Sequence, residues 1–209
     1  MINYLKTKFV AENFDFEEIL LIPIFATLLA LLIGSVFLLA TGETFSNILV
    51  AFKSLFIGSF GSLNAISETF TAATPLVFAA LGISLAFRAG LFNIGAEGQM
   101  IIGGIATVII GFSIDFLPIW IHLPLALIFG AIFGALYAAI AGWLKATTGA
   151  HEVISTIMLN LIALRLLDYL LRLPIIQKEG RNDPISKSVL ETAELPQIFS
   201  FIEPQLRLH

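Results

Sequence analysis

The chain contains no cysteine, which excludes disulfides and thiolate metal sites without naming a compartment. Charge is scarce too: Asp, Glu, Lys and Arg make up 12% of 209 residues, with 11 basic against 15 acidic side chains and a net charge of -4. No basic tract is present, so there is no electrostatic case for nucleic acid or an anionic membrane surface as ligand. Catalytic signatures are missing. His151-Glu152 opens like the zinc-protease pattern H-E-x-x-H, but Ser155 stands where the second histidine belongs. Neither the serine elbow G-x-S-x-G nor the phosphate loop G-x-x-x-x-G-K-S/T occurs, so neither an α/β-hydrolase-type serine site nor an ATP-hydrolysing domain is encoded. The histidines, His122, His151 and His209, are scattered as packing or interfacial residues would be, not grouped as metal ligands. Any energy for work must come from another subunit, and no cofactor is expected in this chain.

What the chain has in excess is apolar length. Hydrophobic residues make up 58% of it, and the mean hydropathy of +0.97 is that of an integral membrane protein. The expected fold class is all-α, a polytopic membrane helix bundle with about five spans in a single transmembrane domain, 1–209. Residues 1–18 are polar and mixed in charge and read as a cytoplasmic N-terminus. The run Ile19 to Ala40 is long enough to span and lacks the small-x-small site of a cleaved signal peptide, Leu38 standing before Ala40. Segment 41–67 carries Phe45, Ile48, Leu49, Phe52 and Phe56 at helical spacing with Asn47, Lys53 and Ser54 between them, which predicts an outer amphipathic helix lying on the surface. Four further runs follow, near Glu68 to Phe87, Gly98 to Leu117, Ile121 to Leu144 and Glu152 to Leu171. A cytoplasmic N-terminus puts Lys6, Lys8, Arg88 and Lys145 inside, as the positive-inside bias prefers. Residues 172–209 then form an outer loop, with a short helix expected around Ile185 to Ala193 after Asp183. The sequence stops with no closing element, as the N-terminal portion of a longer protein would.

Two helices carry their own patterns. Gly130, Gly134, Ala138 and Gly142 recur every fourth residue and give the fourth span a small-residue face for close helix packing, within the chain or in a dimer. Glu152, Thr156 and Asn160 share one face of the last span and must find either interhelical hydrogen bonds or a wet path. Arg165 and Asp168 are spaced as a local ion pair.

The centre of the chain is Arg88 to Gly104, RAGLFNIGAEGQMIIGG, a polar and glycine-rich interruption between two apolar runs. Polar groups left unpaired among lipid tails cost several kcal/mol, so it belongs at the membrane edge or around a polar path. Residues 90–104, GLFNIGAEGQMIIGG, and 149–163, GAHEVISTIMLNLIA, resemble the matching segments of bacterial ABC importer permeases, the inner-membrane translocator family of ribose, simple-sugar, branched-chain amino acid and nucleoside permeases. Phe92 to Gln99 is most similar to the nucleoside and simple-sugar branch. The resemblance implies a permease subunit in the bacterial inner membrane, partnered by cytoplasmic ATPase subunits that hydrolyse ATP with magnesium, a second permease subunit (the same or a related one) and an extracytoplasmic solute-binding lipoprotein. It also implies a later cytoplasmic loop that couples to the ATPase, absent from this sequence. In that frame Gly90, Gly95, Glu97 and Gly98 form a broken helix between the second and third spans, with Glu97 expected to hold it together. Asn93, Gln99, Thr156 and Asn160 are the candidate residues of the substrate path. Glycine-broken helices also suit a secondary transporter or channel, although no second copy of the Arg88 to Gly104 pattern is present. An intramembrane enzyme lacks any paired catalytic constellation.

Overall fold

The computed structural model describes residues 16–197 and Leu206. The helices are α1 (Phe16–Ala40), α2 (Phe45–Phe60), α3 (Leu63–Arg88), α4 (Ala96–Ser113), α5 (Ile119–Thr148) and α6 (Glu152–Leu170), followed by one 3-10 turn, Glu191–Ala193. Among the described residues five helices are long and apolar enough to cross a membrane, which makes this a multi-pass membrane protein; only α2 of these six helices is too short. The all-helical bundle expected from composition is what forms. The chain divides into two compact units between Ala65 and Ile66.

In the first unit α1 is apolar on every side from Leu20 to Ala40, as a helix suited to lipid must be. The amphipathic period of 41–67 becomes α2, which starts at Thr44, whose hydroxyl accepts from the Asn47 amide at 3.3 Å, and buries Ile48. Residues 63–67 belong to α3, so that span starts five residues before its expected beginning at Glu68.

In the second unit α4, α5 and α6 pack together. The α4–α5 contact is a mutual close approach of glycines. A Cβ on Gly103 would lie 2.8 Å from the Gly130 carbonyl oxygen, one on Gly134 would lie 3.1 Å from the Gln99 carbonyl oxygen, and one on Gly130 would overlap the Thr107 hydroxyl. In lipid no hydrophobic drive pulls helices together, so this backbone-to-backbone fit supplies the dispersion that does. Only half of the predicted stripe takes part. Gly142 has nothing within 4 Å of its Cβ position, and Ala138 borders open space. Tyr137 on α5 donates to the Leu159 carbonyl on α6 at 2.8 Å, beside Ala163, which is fully buried.

The segment after α6 corrects one expectation. In place of a helix from Ile185 to Ala193 there is a narrow hairpin with Gln177 paired to Ser186, then the single 3-10 turn. Its backbone partners are across the hairpin, Lys178 N–H to the Ile185 carbonyl and Lys187 N–H to the Ile176 carbonyl. Asp183 caps no helix because Arg181 takes both its carboxylate oxygens, at 2.9 and 2.8 Å. That guanidinium holds the Asp183 carboxyl below its ordinary value of 3.8. The segment then folds onto the end of α4: Leu190 N–H donates to the Gly111 carbonyl, and Val189 fills the notch at Gly111. His122, fully buried, joins the Thr192 hydroxyl at 2.8 Å to the Ile110 carbonyl at 3.0 Å. Arg165 and Asp168 stand 3.9 Å apart and exposed, a weak surface pair.

Candidate functional site: the broken segment and its cleft

α3 ends in a glycine-terminated cap. Gly90, at φ +78, takes the left-handed conformation that an L side chain resists; its N–H donates to the Phe87 carbonyl, and Leu91 N–H reaches back to Ala86. The Phe87 and Phe92 rings, 5.2 Å apart, close the apolar side of the turn. The chain then runs without helix to Ala96. Non-helical backbone at membrane depth survives only where the protein satisfies it. Gly95 N–H donates to the Asn93 side-chain oxygen two residues back, at 2.8 Å, an Asx turn. Ile94 N–H donates to the Thr156 hydroxyl at 3.3 Å. Asn160 takes two groups at once: its oxygen accepts from Gly98 N–H at 2.9 Å, and its NH2 donates to the Ile94 carbonyl at 3.0 Å. Asn160 lies two turns along α6, roughly 12 Å from the helix start, so α4 begins well inside the level at which α6 begins.

Gly98 is what lets α6 come this near. A Cβ there would stand 2.9 Å from the Asn160 side-chain oxygen and 3.1 Å from its Cα. Behind the broken segment, Lys145 on α5 and Glu152 on α6 form an ion pair at 2.6 Å, both partly shielded. In front of it, α3 makes no close backbone approach to α4, α5 or α6, and a cleft of about 700 Å³ remains. Pro75, Phe78 and Gly82 of α3 form one wall, and Ala96, Gly103, Gly130 and Gly134 another. Asn93 and Gln99 stand at its head, paired amide to amide: Gln99 NH2 to the Asn93 oxygen at 3.1 Å and Asn93 NH2 to the Gln99 oxygen at 3.4 Å. Each NH2 keeps a second proton, and the Gln99 oxygen a second lone pair. Among the described residues no charged side chain lines the cleft.

Residues 65–203 match the family described as branched-chain amino acid transport system / permease component. The chain belongs to that permease family. It is 38% identical over 183 residues to the guanosine ABC transporter permease protein NupP of Bacillus subtilis, covering 87% of this chain and 51% of the relative. It is 37% identical over 144 residues to the nucleoside ABC transporter permease protein NupB of Lactococcus lactis, covering 69% and 39%. With the glucose ABC transporter permease protein TsgB13 of Haloferax volcanii it shares 33% over 180 residues, 86% and 46%. The permease chain thus spans about half the length of the curated relatives it matches. No solved structure matches it significantly.

In this permease the four polar residues singled out from sequence come together. Asn93 and Gln99 face the cleft, whereas Thr156 and Asn160 spend their hydrogen bonds on the backbone of the broken segment. Glu97, expected to hold that segment, is exposed, and no hydrogen bond of its carboxylate occurs among the described residues. One residue along a helix turns a side chain by about 100°, so with Gly98 against α6 the Glu97 side chain points elsewhere. Holding falls to Asn93, Thr156 and Asn160. The Lys145–Glu152 pair and the reciprocal Gly103 went unread, and His122, read only as a packing or interfacial residue, is buried with two hydrogen bonds. Gly103 had a signal, as a small residue two turns along the helix from Ala96; the partners of His122 had none.

Proposed function

We propose that this permease forms part of the translocation path of an ATP-driven importer for uncharged, hydroxyl-bearing solutes, nucleosides ahead of simple sugars. The uncharged cleft headed by the Asn93–Gln99 amide pair carries the reading. Its volume of about 700 Å³ suits a nucleoside-sized molecule, and the free amide protons and lone pair suit carbonyl and hydroxyl partners. A zwitterionic amino acid would bring two charges into a site with none to pair them, at a cost of several kcal/mol for each. The names of the relatives, guanosine, nucleoside and glucose permeases, lean the same way. The chain has no phosphate loop, so ATP and magnesium act on partner ATPase subunits; a second permease subunit, read as a related rather than identical chain, completes the path, and a solute-binding lipoprotein delivers the solute. The N-terminus is assigned to the cytoplasmic side of the bacterial inner membrane from the Lys and Arg distribution.

The test is uptake of radiolabelled guanosine, ribose and leucine by cells with and without the gene, each with and without ATP depletion under a maintained ion gradient. Loss of guanosine uptake in the gene-disrupted cells, with ATP needed in the others, is expected. Leucine as the solute lost, or guanosine uptake that follows the ion gradient and not ATP, overturns the proposal.

A further inference from the structure

Asn160 meets the backbone at an unusual pair of atoms. The Ile94 carbonyl and the Gly98 N–H are four residues apart, so in a continuous helix they would bond to each other. Here each bonds instead to the Asn160 side chain, N–H to oxygen at 2.9 Å and carbonyl to NH2 at 3.0 Å. The next helical bond, Gln99 N–H to the Gly95 carbonyl, is in place at 3.1 Å. The amide of Asn160 is therefore inserted into the first i to i+4 bond position of α4, from another helix. Thr156, one turn away on the same face of α6, removes Ile94 N–H from helical use as well.

We infer that Asn160 is a positioning residue: a wedge that keeps α4 from winding back through Ile94, and so keeps Asn93 where it can pair with Gln99 at the head of the cleft. Without the wedge, the two backbone groups it serves lose both partners at once, and the nearest replacement for each is the direct bond between them. That bond adds Gly95 to α4, and the winding it starts can run back through residues 91–94, drawing them from an extended to a helical rise. When the winding reaches Leu91 the Asx turn at Asn93 is lost, because the Leu91 carbonyl is the helical partner of Gly95 N–H. The wedge also accounts for Gly98: any larger residue there would drive Asn160 out.

The absence of cysteine permits a direct measurement. Phe92→Cys and Trp120→Cys, both at exposed positions and separated along α4, are spin-labelled in the whole permease in membranes, and the distance between labels is read with Asn160, Asn160→Ala or Asn160→Asp. Four residues passing from roughly 3.3 to 1.5 Å of rise each shorten the span by up to about 7 Å. Asn160→Ala is expected to shorten the label distance by about 5 Å on that scale. Asn160→Asp, whose carboxylate still accepts from Gly98 N–H, is expected to keep the unsubstituted distance. An unchanged distance in Asn160→Ala overturns the inference. A shortened distance in Asn160→Asp overturns it too, since the Gly98 bond would then not be what blocks winding; this arm also stands alone should Asn160→Ala fail to insert. The placing of the amide pair rests on the transport reading above, and uptake separates the two. A shortened distance with at least a fivefold loss of uptake supports both, whereas a shortened distance with full uptake upholds the wedge and overturns the path role of the amide pair.

Discussion

The two ends of the α4–α5–α6 bundle are tied by different means. At the broken-segment end, side chains of α6 and of the segment itself satisfy backbone groups: Thr156, Asn160 and Asn93 serve Ile94, Gly98 and Gly95. At the other end, the segment after α6 is docked by a backbone bond from Leu190 to Gly111 and by one buried imidazole between Thr192 and Ile110. The first arrangement preserves a gap in a helix, and the second closes a loop over helix ends. A carbonyl accepts only, so His122 carries a proton on Nε2 toward Ile110, while Nδ1 pairs with the Thr192 hydroxyl, which can donate or accept there. One side chain thus makes both contacts of this tie. The broken-segment end is spread over several small amides and hydroxyls, each replaceable by a backbone bond if the segment rewinds. Removing a tie should therefore destabilise the loop end outright, yet change the conformation of the other end.

The largest effect should come from His122→Ala. It opens a cavity and leaves the Ile110 carbonyl without its donor, a loss of about 3 kcal/mol. Thermal unfolding in detergent should show a clearly lowered midpoint, with residues 186–194 released to proteolysis; an unchanged midpoint would erase the contrast between the ends. Thr156→Val should cost less, about 1 kcal/mol, because it removes one hydroxyl from a shape that valine fills. Its signature should be faster hydrogen exchange confined to residues 91–98, with the loop end unaffected. The smallest effect belongs to the hairpin. The Asp183 carboxyl is lowered by Arg181, so the stability this pair adds is present above the ordinary aspartate range and lost as the pH falls through the lowered value. Protection of the Lys178 and Lys187 amides, taken against the intrinsic exchange rate at each pH, should fall below about pH 3.8 and no earlier in the unsubstituted protein; Arg181→Ala should lower that protection already at neutral pH and remove the step.

Much of this was legible before any coordinates. Spans of twenty or more apolar residues can only be helices in lipid, and all five appear within a few residues of their expected bounds. The broken segment announced itself through Gly90, Gly95 and Gly98. The loop after α6 was misread because a proline after an aspartate starts a helix only if the carboxylate is free to cap it, and Arg181, two residues earlier, claimed it. Gly142 was read with Gly130 and Gly134 because four-residue spacing reports a face and not what lies opposite.

Composition and spacing by themselves determined that this chain lies in a membrane, how many times it can cross, where its helix breaks and which α6 residues share a face, because those are properties of local periodicity and of a solvent without hydrogen bonds. Only the tertiary structure decided the partners. That Asn160 enters a bond position of α4, that Glu97 turns away, that Lys145 meets Glu152 and that His122 is buried under the loop all depend on helix rotation and depth, which packing sets and no pattern along one strand of sequence records.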